Sequence, residues 1–270
     1  MKKNNKMVKY VLVFTLIMGA LSLAVMLFFN YRSARTNATI PIDINTMKLV
    51  QLDEVQDGEP IAIVDTTLGE VRFVLYPQYS PNAVKNFTDL AESGYYDGTY
   101  VHNAQSGAYS GMGAKSKDGS VGNGTNEHVK RELSQDLWSL RGAVCMENTA
   151  YEQTTKEKIL GGGTYYCGSR FNILNSIKFD DEISSQMRES SASEALAEAY
   201  ITKGGIPNFA QQMTIIGQTY SGYDVVDALA SLDGTDNGRY RTPTEDIMIN
   251  SVTISTFSAE DRELAEQEKK

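Results

Sequence analysis

The chain is predicted to fold as a mainly β protein, a closed antiparallel β-barrel of about eight strands with two or three helices, preceded by a transmembrane helix. Three observations predict it. Short runs rich in β-branched and aromatic residues recur between Ile61 and Thr256, bounded by Gly, Asn, Asp and Ser. The helical stretches among them are few and do not alternate with strands in the βαβ order of a parallel sheet. Ahead of them all runs an apolar stretch of bilayer length.

From Tyr10 to Phe29 there are twenty residues without a charge. At about 1.5 Å per residue they match the roughly 30 Å hydrocarbon core of a bilayer. Lys2, Lys3, Lys6 and Lys9 precede this run and only Arg32 and Arg35 follow it closely. The positive-inside bias then makes residues 1–9 a cytoplasmic tip and residues 10–30 a single-pass anchor in the cell membrane, with the rest extracytoplasmic. The alternative is a cleaved signal peptide. Against it, the run exceeds the usual apolar core of about 7–15 residues and no A-x-A cleavage pattern follows. No cysteine near its end offers a site for a lipid anchor.

All 34 acidic residues follow Arg35, whereas six of the 25 basic residues do not, which leaves 34 acids facing 19 bases on the exported part. Affinity for phosphate backbones needs clustered Lys and Arg, so no nucleic-acid partner is expected. Cys145 and Cys167 are the only cysteines. In an oxidising compartment they allow one disulfide worth about 3 kcal/mol on the chain-entropy model, and two buried free thiols are the equal alternative. With only His102 and His128 as histidines, no zinc-type ligand spacing is present and no metal is expected.

Residues 31–58 are polar without sustained periodicity and are expected to form a stalk with little order. Ile61–Tyr76 predicts two strands around a Thr67-Leu68-Gly69 turn. Ser80 as N-cap and Pro81 at the first helical position open an amphipathic helix through Ala83, Val84, Phe87, Leu90 and Ala91, stopped at Gly94. Residues 104–126, rich in Gly, Ser, Asn and Lys, are expected to be loop. Arg141–Glu147 and Gly168–Leu174 are strand candidates flanking a turn-rich excursion with Gly161-Gly162-Gly163. That glycine run lacks the Lys-Ser or Lys-Thr of a phosphate cradle. An insert at about 176–203 contains a helix over Ser184–Lys203, ended by Gly204-Gly205. Met213–Thr219 predicts a strand, Gly222–Leu232 a helix and Asp246–Thr256 a last strand. The domain thus covers residues 59–257, and residues 258–270 form a charged tail expected to be a frayed helix.

Five blocks, in order over about 195 residues, carry a family resemblance. Ser80-Pro81-Asn82-Ala83-Val84-Lys85-Asn86-Phe87 resembles the helix motif A-P-x-x-V-x-N-F of cyclophilins. Gly94-Tyr95-Tyr96-Asp97-Gly98 with Val101-His102-Asn103 resembles G-[FY]-Y-D-G followed by F-H-R. Arg141–Glu147 resembles R-G-x-x-S-M-A, Gly168–Ile173 resembles G-S-Q-F-F-I, and Gly204–Gly217 resembles G-G-x-P-H-L-D-x-x-H-T-V-F-G. The chain is therefore similar to cyclophilin-type peptidyl-prolyl cis-trans isomerases. The resemblance implies the barrel fold and no cofactor.

It also implies a site. Rotation about an X-Pro bond faces a barrier near 20 kcal/mol because amide resonance is lost in the twisted state. A catalyst must favour that state over either planar one. The family does so with an apolar proline pocket and an arginine that donates to the proline nitrogen. Here the arginine position holds Asn103, next to the retained His102. The pocket's phenylalanine and methionine fall on Ala108 and Tyr109, and the glutamine that orients the arginine falls on Gly111. The alanine, glutamine and phenylalanine of the facing strands fall on Glu147, Arg170 and Asn172, beside the retained Asn148. The leucine and final histidine fall on Phe209 and Met213. An uncharged amide is a weaker donor than a guanidinium.

Arg170 has two readings: a guanidinium reaching the site in place of the missing one, or half of a cross-strand pair with Glu147. His102, with no Ser or Cys nucleophile beside it in sequence, suits a packed or hydrogen-bonded role better than that of a general base. The resemblance thus implies a membrane-anchored extracytoplasmic domain that assists or binds proline-containing segments of exported polypeptides, with catalysis weak or lost. The alternative is a non-catalytic envelope scaffold that docks a partner through the insert Ser176–Lys203.

Overall fold

The structure is a computed structural model that describes residues 2–36, 39–121 and 129–269. His128 lies outside the described residues. The chain forms two compact units, one made of the N-terminal helix with Tyr151–Thr164 and one of the remainder. In the first, α1 (Lys2–Thr36) is exposed along its apolar length and is long and apolar enough to cross a membrane.

The second unit begins with β1 (Pro60–Thr66), β2 (Gly69–Leu75), α2 (Pro81–Glu92), β3 (Tyr100–Gln105), β4 (Tyr109–Ala114) and the short β5 (Val129–Lys130). There follow β6 (Ala143–Glu152), then α3 (Thr155–Leu160), which belongs to the first unit, then β7 (Thr164–Leu174), α4 (Asp181–Ser190) and α5 (Glu194–Lys203). The chain ends with β8 (Ile215–Ser221), α6 (Tyr223–Ala230), β9 (Gly234–Asp236), β10 (Arg241–Pro243), β11 (Ile249–Thr256) and α7 (Ala259–Gln267). The main sheet runs β11-β1-β2-β8-β6-β7-β4-β3, with β5 added against β7.

Among the described residues its ends meet only at the bridge between Tyr100 and Met248 and the backbone bonds flanking it, such as Val101 N–H to Ile247 O at 2.9 Å. The sheet is thus a curled half-barrel rather than the fully closed barrel expected. Register shifts on either side of Val101 bend β3 away from a continuous ladder.

Side-chain alternation along the strands builds two cores. Val71, Phe73, Met112, Val144, Met146, Phe171 and Ile173 face the interior with α2 and α6. There the Phe87 ring packs 5.8 Å from Phe73, 5.3 Å from Tyr96 and 5.4 Å from Phe171. The alternate residues Val74, Ala143, Cys145, Leu174 and Ile215 form a second apolar cluster on the other face. Cys167 belongs to the interior and Cys145 to the outer cluster, so they are two buried free thiols and not a disulfide. Burial pushes them up to about 11 and about 12, which keeps both protonated and unreactive.

Four elements differ from expectation, three of them through contacts distant in sequence and one through a local cap. β4 was hidden in the Gly-rich stretch taken as loop, because Gly111 and Gly113 serve close strand packing. A Cβ on Gly113 would stand 3.1 Å from Ser169 O, at φ +89. Residues 39–58 are no loose stalk: Ile42, Met47 and Leu49 pack against the cluster of Trp138, Leu140 and Tyr200. Buried Gln51 accepts from Trp138 N–H at 2.5 Å and donates to Trp138 O at 2.9 Å. The helix expected over Ser184–Lys203 is two, because the Ser193 side chain accepts from Leu196 N–H and caps α5 afresh. The tail is an ordered helix, not a frayed one. Ser258 and Asp261 form a capping box, and Asp261 accepts from Arg72 Nη1 at 2.7 Å and Tyr220 OH at 2.8 Å.

Candidate active site

β3, β4 and β7 lie side by side, and their register aligns Asn103 with Gly111 and Gly111 with Asn172. A Cβ on Gly111 would meet Asn172 Oδ1 at 2.9 Å and Asn103 Cβ at 3.2 Å, so a glutamine side chain has no room there. The β3–β4 turn presents Ala108 and Tyr109, and the loop before β8 presents Phe209 and Met213, all packed on the outer apolar cluster. Tyr109 and Phe209 meet edge to face at 5.5 Å, and Met213 Sδ lies 3.7 Å from Cys145 Sγ. Asn148 Nδ2 donates to Gln212 O at 2.9 Å and ties β6 to that loop. The structure thus brings Ala108, Tyr109, Phe209 and Met213 to one apolar cluster, while Asn103, Gly111 and Asn172 align across the adjacent strands.

Asn103 is buried and already engaged. Its Oδ1 accepts from Gln105 Nε2 at 3.0 Å and from the backbone N–H of Arg241 at 3.0 Å. Its amide also bonds the Tyr109 hydroxyl, which burial shifts upward and this bond opposes. The Arg241 guanidinium donates to Ala104 O at 3.1 Å and Leu232 O at 2.6 Å, binding the β9–β10 hairpin to β3.

His102, Glu147 and Arg170 converge on Tyr240, a residue that the sequence reading missed. His102, fully buried, places Nε2 3.2 Å from Glu147 Oε2 and packs edge to face on the Tyr240 ring at 4.7 Å. Tyr240 OH donates to Glu147 Oε1 at 2.5 Å and accepts from Arg170 Nη1 at 2.9 Å. Arg170 Nη2 donates to Gly119 O at 2.7 Å. The cross-strand pairing of Arg170 with Glu147 is therefore not direct: the phenol stands between them. A signal for this arrangement existed. Asn237-Gly238 is a hairpin turn, and Asn237 Oδ1 accepts from Arg239 N–H and Tyr240 N–H.

Burial alone would push the Glu147 carboxyl up. The bonds from His102 and Tyr240, with the nearby Arg170 charge, outweigh it and hold the carboxyl below its ordinary value of 4.5. Burial, reinforced by Glu147, pushes the Tyr240 phenol up to about 12, so it remains a donor at neutral pH. A carboxyl with a lowered folded-state pKa stabilises the fold above its unfolded value, and that contribution is lost as pH falls through the folded value. The urea-unfolding gap between wild type and Glu147→Gln is expected to be widest at neutral pH and to narrow below pH 4.5. A gap independent of pH would contradict this electrostatic account. Among the described residues, no three His, Cys, Asp or Glu gather where they could hold a metal.

Three comparisons bear on this geometry. The family model for cyclophilin type peptidyl-prolyl cis-trans isomerase/CLD matches residues 61–158. A Staphylococcus epidermidis protein named for peptidyl-prolyl cis-trans isomerase is 29% identical over 209 residues, covering 74% of this chain and 94% of that protein. A Streptococcus pyogenes protein named as a bifunctional phosphatase/peptidyl-prolyl cis-trans isomerase is 28% identical over 218 residues, or 77% of this chain and 41% of that one. Among solved structures, a cyclophilin type isomerase of Cryptosporidium parvum is similar in fold, with a TM-score of 0.53 at 19% identity, covering 74% of this chain and 99% of that one.

Proposed function

The chain belongs to the cyclophilin-type peptidyl-prolyl cis-trans isomerase family, and on that premise we propose that it holds proline-containing segments of exported polypeptides on the outer side of a membrane, with slow catalysis. The anchor in this reading is α1, long and apolar enough to span. One observation carries the reading. The apolar surface of Tyr109, Phe209 and Met213 remains beside Asn103, while the charged donor of the family is replaced by an amide whose oxygen is bonded to Gln105 and Arg241. Such a site offers a proline ring apolar contact and offers its nitrogen little.

The test is calorimetric titration of the full chain in detergent with an Ala-Pro peptide and its Ala-Ala counterpart. The proline peptide is expected to bind more tightly. Tyr109→Ala is expected to weaken it about tenfold, because about 1.4 kcal/mol of apolar contact is removed. Equal affinity for the two peptides, or an unaffected Tyr109→Ala, would remove this surface from the binding site. Docking through the insert Ser176–Lys203 is the weaker reading. Leu196, Ala199 and Tyr200 of α5 are buried against Trp138 and Leu140 of the same domain.

A further inference from the structure

The excursion between β6 and β7 packs on the end of the N-terminal helix within one compact unit. It is folded on itself. Thr154 and Glu157 form a capping box for α3, and Tyr151 OH and Gln153 Nε2 donate to Gly162 O at 2.5 and 2.6 Å.

Its seat on α1 is close. Gly162 N–H donates to Thr36 Oγ1 at 3.2 Å. A Cβ on Gly161, which has φ +79, would collide with Arg32 O. The bonds to Thr154 chiefly hold the Glu157 carboxyl below its ordinary range, and the Arg35 charge adds to them.

This seat has a depth. Arg32 and Thr36 lie three and seven residues beyond Phe29, the end of the uncharged run. At about 1.5 Å per residue the contact sits roughly 5–10 Å past the apolar span. The polar layer flanking a hydrocarbon core of about 30 Å has that position.

The surface offered there suits that layer. Ile159 is 58% exposed, and its neighbours Lys156 and Lys158 are exposed as well. With Arg32 and Arg35 these lysines place four cations against Glu152 and Glu157, on an exported chain that is otherwise strongly acidic. Apolar and cationic side chains together at that depth match an anionic lipid surface.

We propose that the excursion Tyr151–Thr164 is a second membrane contact, in which Ile159 enters the boundary between headgroups and acyl chains while Lys156, Lys158, Arg32 and Arg35 meet anionic lipid phosphates. The inference rests on the anchoring reading of α1. It goes beyond the peptide site, which it does not involve.

The experiment uses the full chain in phosphatidylcholine/phosphatidylglycerol vesicles, with an environment-sensitive NBD dye on an introduced cysteine at Ile159→Cys, Ser22→Cys or Ser190→Cys. Cys145 and Cys167 are both fully buried, so the dye goes to the introduced thiol. Lipids bearing a nitroxide on the acyl chain near the headgroup are expected to quench the dye at 159, and lipids bearing it deep in the chain the dye at 22. The dye at 190, on the exposed end of α4, is the reference against which quenching at 159 and 22 is read. Replacing phosphatidylglycerol with phosphatidylcholine is expected to lower quenching at 159 at least twofold and leave 22 unchanged. Adding Gly161→Val, which forces the excursion off Arg32 O, is expected to lower it similarly. Quenching at 22 with none at 159 overturns the inference and spares the anchor. No quenching at 22 overturns both, and insensitivity at 159 to anionic lipid overturns the role of the cations.

Discussion

The full chain in detergent is expected to accelerate cis/trans isomerisation of a proline tetrapeptide about ten- to a hundredfold less than a cyclophilin that carries the arginine. The barrier near 20 kcal/mol comes from lost amide resonance, and a donor to the pyramidal nitrogen lowers it only if it acts in the twisted state. Hydrogen bonds to charged groups contribute about 1.5–3 kcal/mol, and each 1.36 kcal/mol is tenfold in rate. Asn103 supplies no charge, its Oδ1 holds Arg241 N–H and Gln105, and its amide bonds the Tyr109 hydroxyl. One of its two amide N–H groups is thus already engaged, and the other is an uncharged donor. Exchange spectroscopy on the same peptide measures the rate directly, and a rate near that of the family would end the reading of a weakened catalyst. The residual rate is expected to change less than about twofold in Arg170→Met, since that guanidinium is bound to Tyr240 and Gly119. Its disappearance in this variant would make Arg170 the donor that replaces the missing arginine.

Arg170→Met is expected instead to cost about 3 kcal/mol of stability. The side chain is buried, and its removal leaves Tyr240 OH and Gly119 O without a donor in a dry site. It also removes one positive charge near the largely buried Glu147, which keeps Arg239 Nη2 at 3.9 Å, so this part of the loss is the smaller one. Tyr240→Phe keeps both charges and loses one hydroxyl, so about 1–2 kcal/mol is expected from it. Urea unfolding of both variants gives the comparison. A loss below about 1 kcal/mol for Arg170→Met would mean that water reaches the cluster and the network contributes little.

Much of the fold was legible along the chain because its signals are local. Ser80-Pro81 with apolar residues at helical spacing gave α2, and the Thr67-Leu68 turn gave the β1–β2 hairpin, whose register closes at Thr66 and Gly69. Of the residues that the motif blocks singled out, Tyr109 and Met213 pack on one apolar cluster and the Asn103 amide bonds the Tyr109 hydroxyl. β4 was not legible, since glycines that read as loop are there because Asn172 and Ser169 crowd the strand. Order in residues 39–58 depends on Gln51 meeting Trp138, 87 positions away. The ordered tail depends on Asp261 meeting Arg72 across 189 positions.

The sequence by itself determined the β1–β2 hairpin, α2, the apolar run of membrane length and an uncharged asparagine at position 103, because each is written in residue type and short-range spacing. Only the tertiary structure decided that Cys145 and Cys167 face different cores, that Tyr240 separates Arg170 from Glu147, and that Asn103 holds the backbone of Arg241. These contacts join residues tens to more than a hundred positions apart. Which partner a buried polar group finds is set by the packing of distant segments, and no local pattern in the chain encodes it.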